Sequence, residues 1–180
     1  CDPNRADPTA KFAEASAEHL LGTDYLGRDL FSRVLWGGRN TMGYAVLVAS
    51  VSALLGVGIG MLSGFAGGYV DGFLMKGSDV LRSFPGIVLV LIVVSIRGAG
   101  IESVCVAMLF TRWIWYARMT RNLTRAETGR TSILASRICG SGRFKILRRH
   151  ILPSILPELL PVFSIDFGST LLAVSGYSFL

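Results

Sequence analysis

The feature that most constrains this chain is a run of thirty residues without a charged side chain, from Thr41 to Val70. A helix of about twenty apolar residues is long enough to cross the hydrocarbon core of a bilayer. The composition agrees, because 51% of the residues are hydrophobic and only 17% are charged, and the charges fall in blocks between long neutral stretches. The run therefore predicts a membrane-spanning helix in an integral membrane protein.

Three further apolar stretches predict spans at 83–96, 99–117 and 152–180. The first of these has only fourteen residues, so it crosses the bilayer only if the arginines at its two ends extend their charges to the surface. An amphipathic connector is expected over 71–82, where charged and apolar positions are mixed. We therefore expect an all-α, polytopic bundle with four spans.

Basic residues are concentrated in one part of the chain. Residues 112–150 hold ten of the eighteen Lys and Arg and one acid, Glu127, whereas residues 1–39 hold five basic and six acidic residues. Loops on the cytoplasmic side of spans gather basic charge in this way, so we place 118–150 in the cytoplasm. This location explains the net charge of +6 and argues against nucleic acid as a binding partner. An external segment, 1–39, then precedes a transmembrane domain, 40–180.

Spans must alternate in direction, which places both ends of the chain outside. A polytopic protein that opens without a signal peptide rarely starts outside. We therefore expect at least one earlier span, and a chain that is truncated.

The cysteines and histidines do not build a site. Cys1, Cys105 and Cys139 show no CxxC or Cys/His spacing, which argues against a disulfide framework and a zinc site and favours apolar packing roles. His19 and His150 fall on opposite predicted faces of the membrane. We expect no metal site and no cofactor in this chain.

Glycines recur every four residues in the first predicted span, at Gly56, Gly60, Gly64 and Gly68. On a helix this spacing places them on one stripe, where the lack of side chains lets another helix approach closely. The stripe predicts a helix-packing face.

The segment from Thr124 to Pro157 contains two short helical patterns on either side of Gly140 and Gly142. Apolar side chains at Ile133, Leu134 and Ile138 stand beside arginines, as on a helix that docks in a partner's groove. A second interpretation stays open at this point, namely a basic loop that faces anionic lipids.

This segment resembles the EAA loop of the permeases of binding-protein-dependent ATP-binding-cassette (ABC) importers, whose pattern is Glu-Ala-Ala, a glycine four residues on, and a later Leu-Pro. Leu134, Ala135 and Ser136 take the Glu-Ala-Ala places, Gly140 is the glycine, and Leu152-Pro153 is the pair; the Glu itself is absent. The resemblance implies an ATPase-contacting surface made of Thr131, Ile133, Leu134, Ala135, Ser136, Arg137, Gly140 and Gly142.

Other stretches are similar to the C-type permeases of dipeptide, oligopeptide and nickel importers. They are HLLGTDYLGRDLFSR at 19–33, GGYVDGFLMKGSDVLRSFP at 67–85 and the closing SGYSFL at 175–180. Members of this family have six spans, so the resemblance implies that this chain lacks the first and the last.

The resemblance implies a chain without catalysis that forms a substrate pathway in the bacterial inner membrane. Its expected partners are a second permease in a heterodimer, two ATPase subunits, an extracytoplasmic substrate-binding protein and the lipid bilayer. The sequence contains no GxxxxGK[ST] phosphate-binding loop, which agrees with ATP hydrolysis in a separate subunit. ATP-driven closure of the ATPase would push the 131–142 segment and switch the pathway between two states.

The sequence constrains the transported substrate less than it constrains the class of protein. WIWYARMTRNL followed by LASRICGSG is most similar to the nickel branch, although peptide permeases also carry an aromatic residue and Ala-Arg there. Acids within the predicted spans, Glu102, Glu158 and Asp166, are candidates for the substrate pathway, or for snorkelling and helix-end roles. A secondary transporter driven by an ion gradient is a lower-ranked alternative, because no internal repeat is found.

Overall fold

The computed structural model describes residues 7–177, so Cys1 and the last three residues of the closing motif lie outside the described part. Seven α-helices form this part. They are α1 Leu30–Ala66, α2 Gly68–Arg82, α3 Gly86–Arg97, α4 Ile101–Thr128, α5 Thr131–Ile138, α6 Arg143–Ile146 and α7 Leu152–Tyr177. Over residues 7–177 no strand forms beyond one isolated bridge, between Thr23 and Asp29. The all-α prediction is confirmed.

The chain divides into two compact units, Cys1–Tyr44 and Ala45–Leu180. In the first unit a short 3₁₀ turn, Pro8–Ala10, leads into loops that end where α1 begins. The carboxylate of Asp29 accepts a hydrogen bond from the Ser32 N–H at 2.9 Å, which caps the first turn of α1. The helix therefore begins at Leu30, eleven residues before the charge-free run.

In the second unit, α1 ends at two consecutive glycines. Gly67 and Gly68 have φ of 63° and 50°, a left-handed conformation that glycine adopts without steric cost. The chain then continues as α2, and α2 and α3 are bent by 79° at the break before Pro85–Gly86, where the proline has no N–H to continue the helix. Since α3 has twelve residues, it is about 18 Å long, shorter than the hydrocarbon core.

The helix that ends the described chain is continuous in sequence with α6 through a π-helical turn, Leu147–Ile151. This turn lies just before Pro153, whose ring nitrogen cannot donate to the carbonyl one turn earlier. Pro157 and Pro161 are accommodated inside α7.

Packing around α5 is apolar. A buried cluster joins Ile133 of α5 and Ile146 of α6 to Ile151, which ends the π-helical turn, and to Ile155 and Leu159 of α7. Side chains of α1 and α4, among them Phe65 and Met119, pack against this cluster. The short helices are thus held against the ends of the long ones.

Two helical stretches are long and apolar enough to cross a membrane, Leu30–Ala66 and Arg143–Tyr177, and the bent α2–α3 pair would add a third. The helix α4, predicted to span over 99–117, is not among them. Its charged residues lower its apolar character, and Glu102 and Arg112 lie within the predicted span itself. Arg112 pairs with Asp166 on α7.

Candidate functional site

The helix α5 presents one buried and several exposed side chains. Ile133 is only 2% exposed, whereas Leu134 and Ile138 are 47% and 87% exposed. Thr131, Ala135 and Arg137 are also exposed, and Ser136 is partly so. Burial of a single anchor leaves the rest of an eight-residue helix free for contact with another molecule.

The turn after α5 requires glycine at one of its two glycine positions. The N–H of Ser141 donates to the Ser136 carbonyl at 3.1 Å and that of Gly140 donates to Arg137 at 3.0 Å, with Gly140 at φ 77°. This paired arrangement is a Schellman cap, in which a left-handed residue reverses the chain. Gly142, by contrast, precedes α6 with an ordinary φ of −63°.

Two arginines tie α5 to its neighbours. The guanidinium of Arg137 lies 5.0 Å from the ring centre of Phe65 at the end of α1, and Arg130 pairs with Glu127 at 2.9 Å. The first contact is a cation–π interaction. The second is an ion pair in which the Arg130 side chain is exposed and the Glu127 side chain is buried. The first contact holds α5 against α1 and the second holds the α4–α5 corner, and neither uses the exposed apolar side chains.

Three of the four predicted packing glycines face α4. A Cβ added at Gly60 would lie 2.8 Å from the Thr120 Cβ, one added at Gly64 would lie 2.8 Å from the Thr124 Cβ, and one added at Gly56 would collide with Trp113 and Tyr116. Gly68 does not belong to this face, because α1 ends at Ala66 and nothing lies within 4 Å of an added Cβ there. The stripe is three residues long.

The three acidic pathway candidates are not brought together as one site. Glu102 lies exposed in the first turn of α4, and Glu158 is exposed on α7. Asp166 accepts hydrogen bonds from the Arg112 guanidinium at 2.5 Å and the Tyr116 hydroxyl at 3.0 Å. Both of its carboxylate oxygens are therefore already engaged by α4.

Asp71 forms a second cluster that the sequence did not point to as a site. Its buried carboxylate accepts from Ser63 Oγ at 2.5 Å, from Nε and Nη2 of Arg121, the latter at 2.6 Å, and from Arg125 Nη2 at 2.7 Å. This fork-like pairing with one arginine, plus a second arginine and a hydroxyl, fills the acceptor positions of a carboxylate. The closely spaced arginines of α4 could have indicated that an acidic partner lies nearby in the fold. The sequence did not identify that partner, because Asp71 lies fifty positions before Arg121.

The first unit holds its own charged network, whose two carboxylates, Asp24 and Asp29, precede α1. Arg28 Nε donates to Asp24 at 2.8 Å and Arg33 Nη1 at 2.7 Å, and the N–H groups of Leu26 and Arg28 donate as well. Partial burial opposes ionisation, but these hydrogen bonds outweigh it and lower the pKa of Asp24 to about 2. The Ser32 hydroxyl and N–H, with His19 Nδ1 at 3.2 Å, likewise lower the pKa of Asp29.

Among residues 7–177, no three His, Cys, Asp or Glu side chains are grouped so that they could hold a metal ion. Of the cysteines in that range, Cys105 is buried and Cys139 is exposed beside Ile138.

A helical bundle with an anchored, outward-facing short helix between two of its long helices is the architecture expected of a membrane permease. Comparison with known families bears this out, because residues 56–180 match the family of binding-protein-dependent transport system inner membrane components. The chain belongs to this family. The predicted resemblance to the permeases of binding-protein-dependent importers is thereby confirmed.

Curated relatives cover nearly all of this chain. A nickel transport system permease protein of Escherichia coli (strain K12) is 36% identical over 179 residues, which are 99% of this chain and 65% of that protein. A metal-staphylopine import system permease protein of Staphylococcus aureus (strain Mu50) is also 36% identical, over 99% of this chain and 62% of its own length. A probable D,D-dipeptide transport system permease protein of Escherichia coli is 33% identical, over 99% and 60%. The chain thus spans 60% to 65% of the length of these relatives.

Proposed function

We propose that this chain forms part of the substrate pathway of an ABC importer in the bacterial inner membrane and that it couples this pathway to an ATPase through α5. The observation that carries the proposal is the split character of α5. Ile133 is anchored in the core, while Leu134 and Ile138 point out of the bundle beside basic residues. An apolar, basic-rimmed helix of this kind suits a groove on a partner protein.

The basic-lipid alternative is less well supported by this geometry. A loop that only attracted anionic headgroups would need exposed arginines, but it would not need a rigid turn or a buried anchor. The Schellman cap at Gly140 and the burial of Ile133 fix the orientation of α5, which is what mechanical coupling requires.

The partners follow from the same proposal. We expect a second permease that completes a heterodimer, two ATPase subunits that bind the α5 surfaces, and an extracytoplasmic protein that delivers the cargo. The chain itself would carry out no reaction, and ATP hydrolysis would occur in the ATPase subunits.

The coupling proposal is tested by ATP hydrolysis in the reconstituted complex. In the wild type, loaded binding protein should stimulate hydrolysis. Gly140→Pro should abolish this stimulation, because a proline φ near −65° cannot replace 77° and the N–H bond to Arg137 is lost.

Gly140→Asn is the matched control at the same position, since asparagine tolerates a left-handed φ and an added Cβ there would meet nothing within 4 Å. Equal loss in both variants would contradict a specific role for the α5 turn. Uptake that depends on an ion gradient and not on ATP would favour the secondary transporter instead.

For the cargo, we propose nickel or a nickel chelate, with dipeptides and oligopeptides as the alternative. Support comes from the WIWYARMTRNL segment and from relatives named for nickel and metal-staphylopine transport, but a D,D-dipeptide permease is nearly as similar. Vesicles that contain the complete complex should take up radiolabelled nickel in an ATP-dependent manner. Uptake of a labelled dipeptide, unaffected by excess nickel, would overturn the nickel assignment.

A further inference from the structure

The Asp71 cluster lies across the joint between α1 and α2. Only Gly67 separates the two helices, and both it and Gly68 have left-handed backbone angles. An added Cβ at either glycine would meet nothing within 4 Å, so no neighbouring element packs closely against the joint at these two positions. The hydrogen bond from Ser63 on α1 to Asp71 on α2, at 2.5 Å, is a polar contact that bridges it.

The same carboxylate fastens α2 to α4. Arg121 and Arg125 lie one turn apart on α4, and both donate to Asp71, whose side chain is 7% exposed. A buried carboxylate held by two guanidinium groups cannot exchange these partners for water without a large desolvation penalty. Three helices, α1, α2 and α4, therefore meet at one acid.

A second ion pair between α2 and α4 differs in its environment. Asp79 pairs with Arg118, but its side chain is 60% exposed. Exposed pairs contribute little because water solvates both charges and their attraction is screened. Asp79 therefore provides a comparison on the same helix, with the same chemistry and without the burial.

The position of the cluster links it to α5. Arg125 lies six residues before Thr131, and α4 runs without a break to Thr128. Any displacement of α5 that shifts the end of α4 would reach Asp71 directly. On the other side, α2 leads through the 79° bend into α3.

We propose that Asp71, with Ser63, Arg121 and Arg125, is a charge latch that makes α2, and through it α3, follow the movement of α4. Asp71 is in this sense a positioning residue for transport, since it acts through the helices it joins. The inference rests on the proposed coupling function and adds the route by which motion at α5 reaches the bent helix pair.

The test is the amount of cargo taken up per ATP hydrolysed by the complete complex in vesicles. The probe is whichever of radiolabelled nickel and labelled dipeptide the wild type transports. Asp71→Asn keeps the shape and a polar contact for Ser63 but removes the charge, so uptake per ATP should fall about tenfold, a size typical of lost coupling between sites. Asp79→Asn should stay within about twofold of the wild type, as expected for an exposed pair. Asp71→Glu, which keeps the charge, should restore part of the loss.

The outcomes distinguish failure of the latch from failure of the importer proposal. If Asp71→Asn assembles and keeps the wild-type ratio, the latch is wrong while the importer proposal stands. If Asp71→Asn does not accumulate in the membrane, Arg125→Gln decides, because it removes only the half-exposed arginine; a reduced ratio supports the latch and an unchanged one overturns it. A wild-type complex without ATP-dependent uptake overturns the proposed function and the role of the latch together.

Discussion

Two single carboxylates, Asp71 and Asp166, each join neighbouring helices of this bundle. Asp166 and Asp71 each lie on an otherwise apolar or small-residue helix face, and each accepts hydrogen bonds from an arginine of α4. An acid in this environment is costly unless a cation and hydrogen-bond donors accompany it. These residues therefore act first as helix-to-helix ties.

Removal of Asp166 should expose this role. Asp166→Ala leaves the Arg112 guanidinium, 21% exposed, without its counter-ion, and should lower the free energy of unfolding by about 3 kcal/mol. Glu158→Ala, at an exposed position of the same helix, should change it by less than about 0.5 kcal/mol. Thermal and denaturant unfolding in detergent micelles would measure both, and equal effects would contradict a structural pair at Asp166.

The first unit should respond to acid through Asp24. The pKa of Asp24 in the folded chain, about 2, lies below its ordinary value of 3.8, so the folded form binds its proton more weakly than the unfolded form. Its contribution to stability is complete above about pH 4 and is lost as the pH falls through 2. Side-chain carboxyl NMR should show a titration of Asp24 near pH 2, and Asp24→Asn should remove the part of the acid-dependent loss of stability that Asp24 causes. A midpoint near pH 4 would show that the Arg28 and Arg33 contacts are not maintained.

At the scale of helices, α1 and α4 approach each other closely because α1 presents glycines, which have no side chain, at their interface. The three glycines of α1 leave space that the backbone and the threonines of α4 occupy. Close approach of this kind increases dispersion contacts where lipid offers no hydrophobic driving force between helices.

Gly60→Ala should be destabilising, because the new Cβ would lie 2.8 Å from the Thr120 Cβ and the helices must separate. We expect a loss of about 2 kcal/mol from overpacking. Gly58→Ala is the control on the same helix, with nothing within 4 Å, and should be neutral or stabilising by up to about 1 kcal/mol through helix propensity. Unfolding of both variants in the same micelles is the measurement, and a Gly60→Ala protein as stable as the Gly58→Ala protein would contradict the packing interface.

At the scale of the whole molecule, we expect the direction of the chain across the membrane to follow from the charge distribution. From the charges alone we expect the basic block of α4–α6 on the cytoplasmic side and residues 1–39, whose charges nearly balance, on the other side. The cysteines offer a direct measurement of this arrangement.

Cys139 is exposed next to Ile138, whereas Cys105 is buried. In a Cys1→Ser background, a membrane-impermeant maleimide should therefore label the chain in inside-out vesicles and not in intact cells, and bound ATPase should protect Cys139. Labelling in intact cells would place α5 outside and would contradict the coupling proposal.

The sequence by itself determined the class of protein, the α-helical bundle, the position of α5 and the two glycines after it. These depend on local properties, namely apolar runs, charge blocks and the φ preference of glycine, which are visible in neighbouring residues. It also indicated the glycine stripe, but not that the stripe stops at Gly64, because that depends on where α1 ends.

Only the tertiary structure decided the partners of Asp71 and Asp166. Each pairs with an arginine fifty or more positions away. The sequence shows which residues carry a charge, but the packing of the helices determines which opposite charge lies beside each of them. The same acids that the sequence offers as pathway or surface residues thus become, in the folded chain, the ties between α1, α2, α4 and α7.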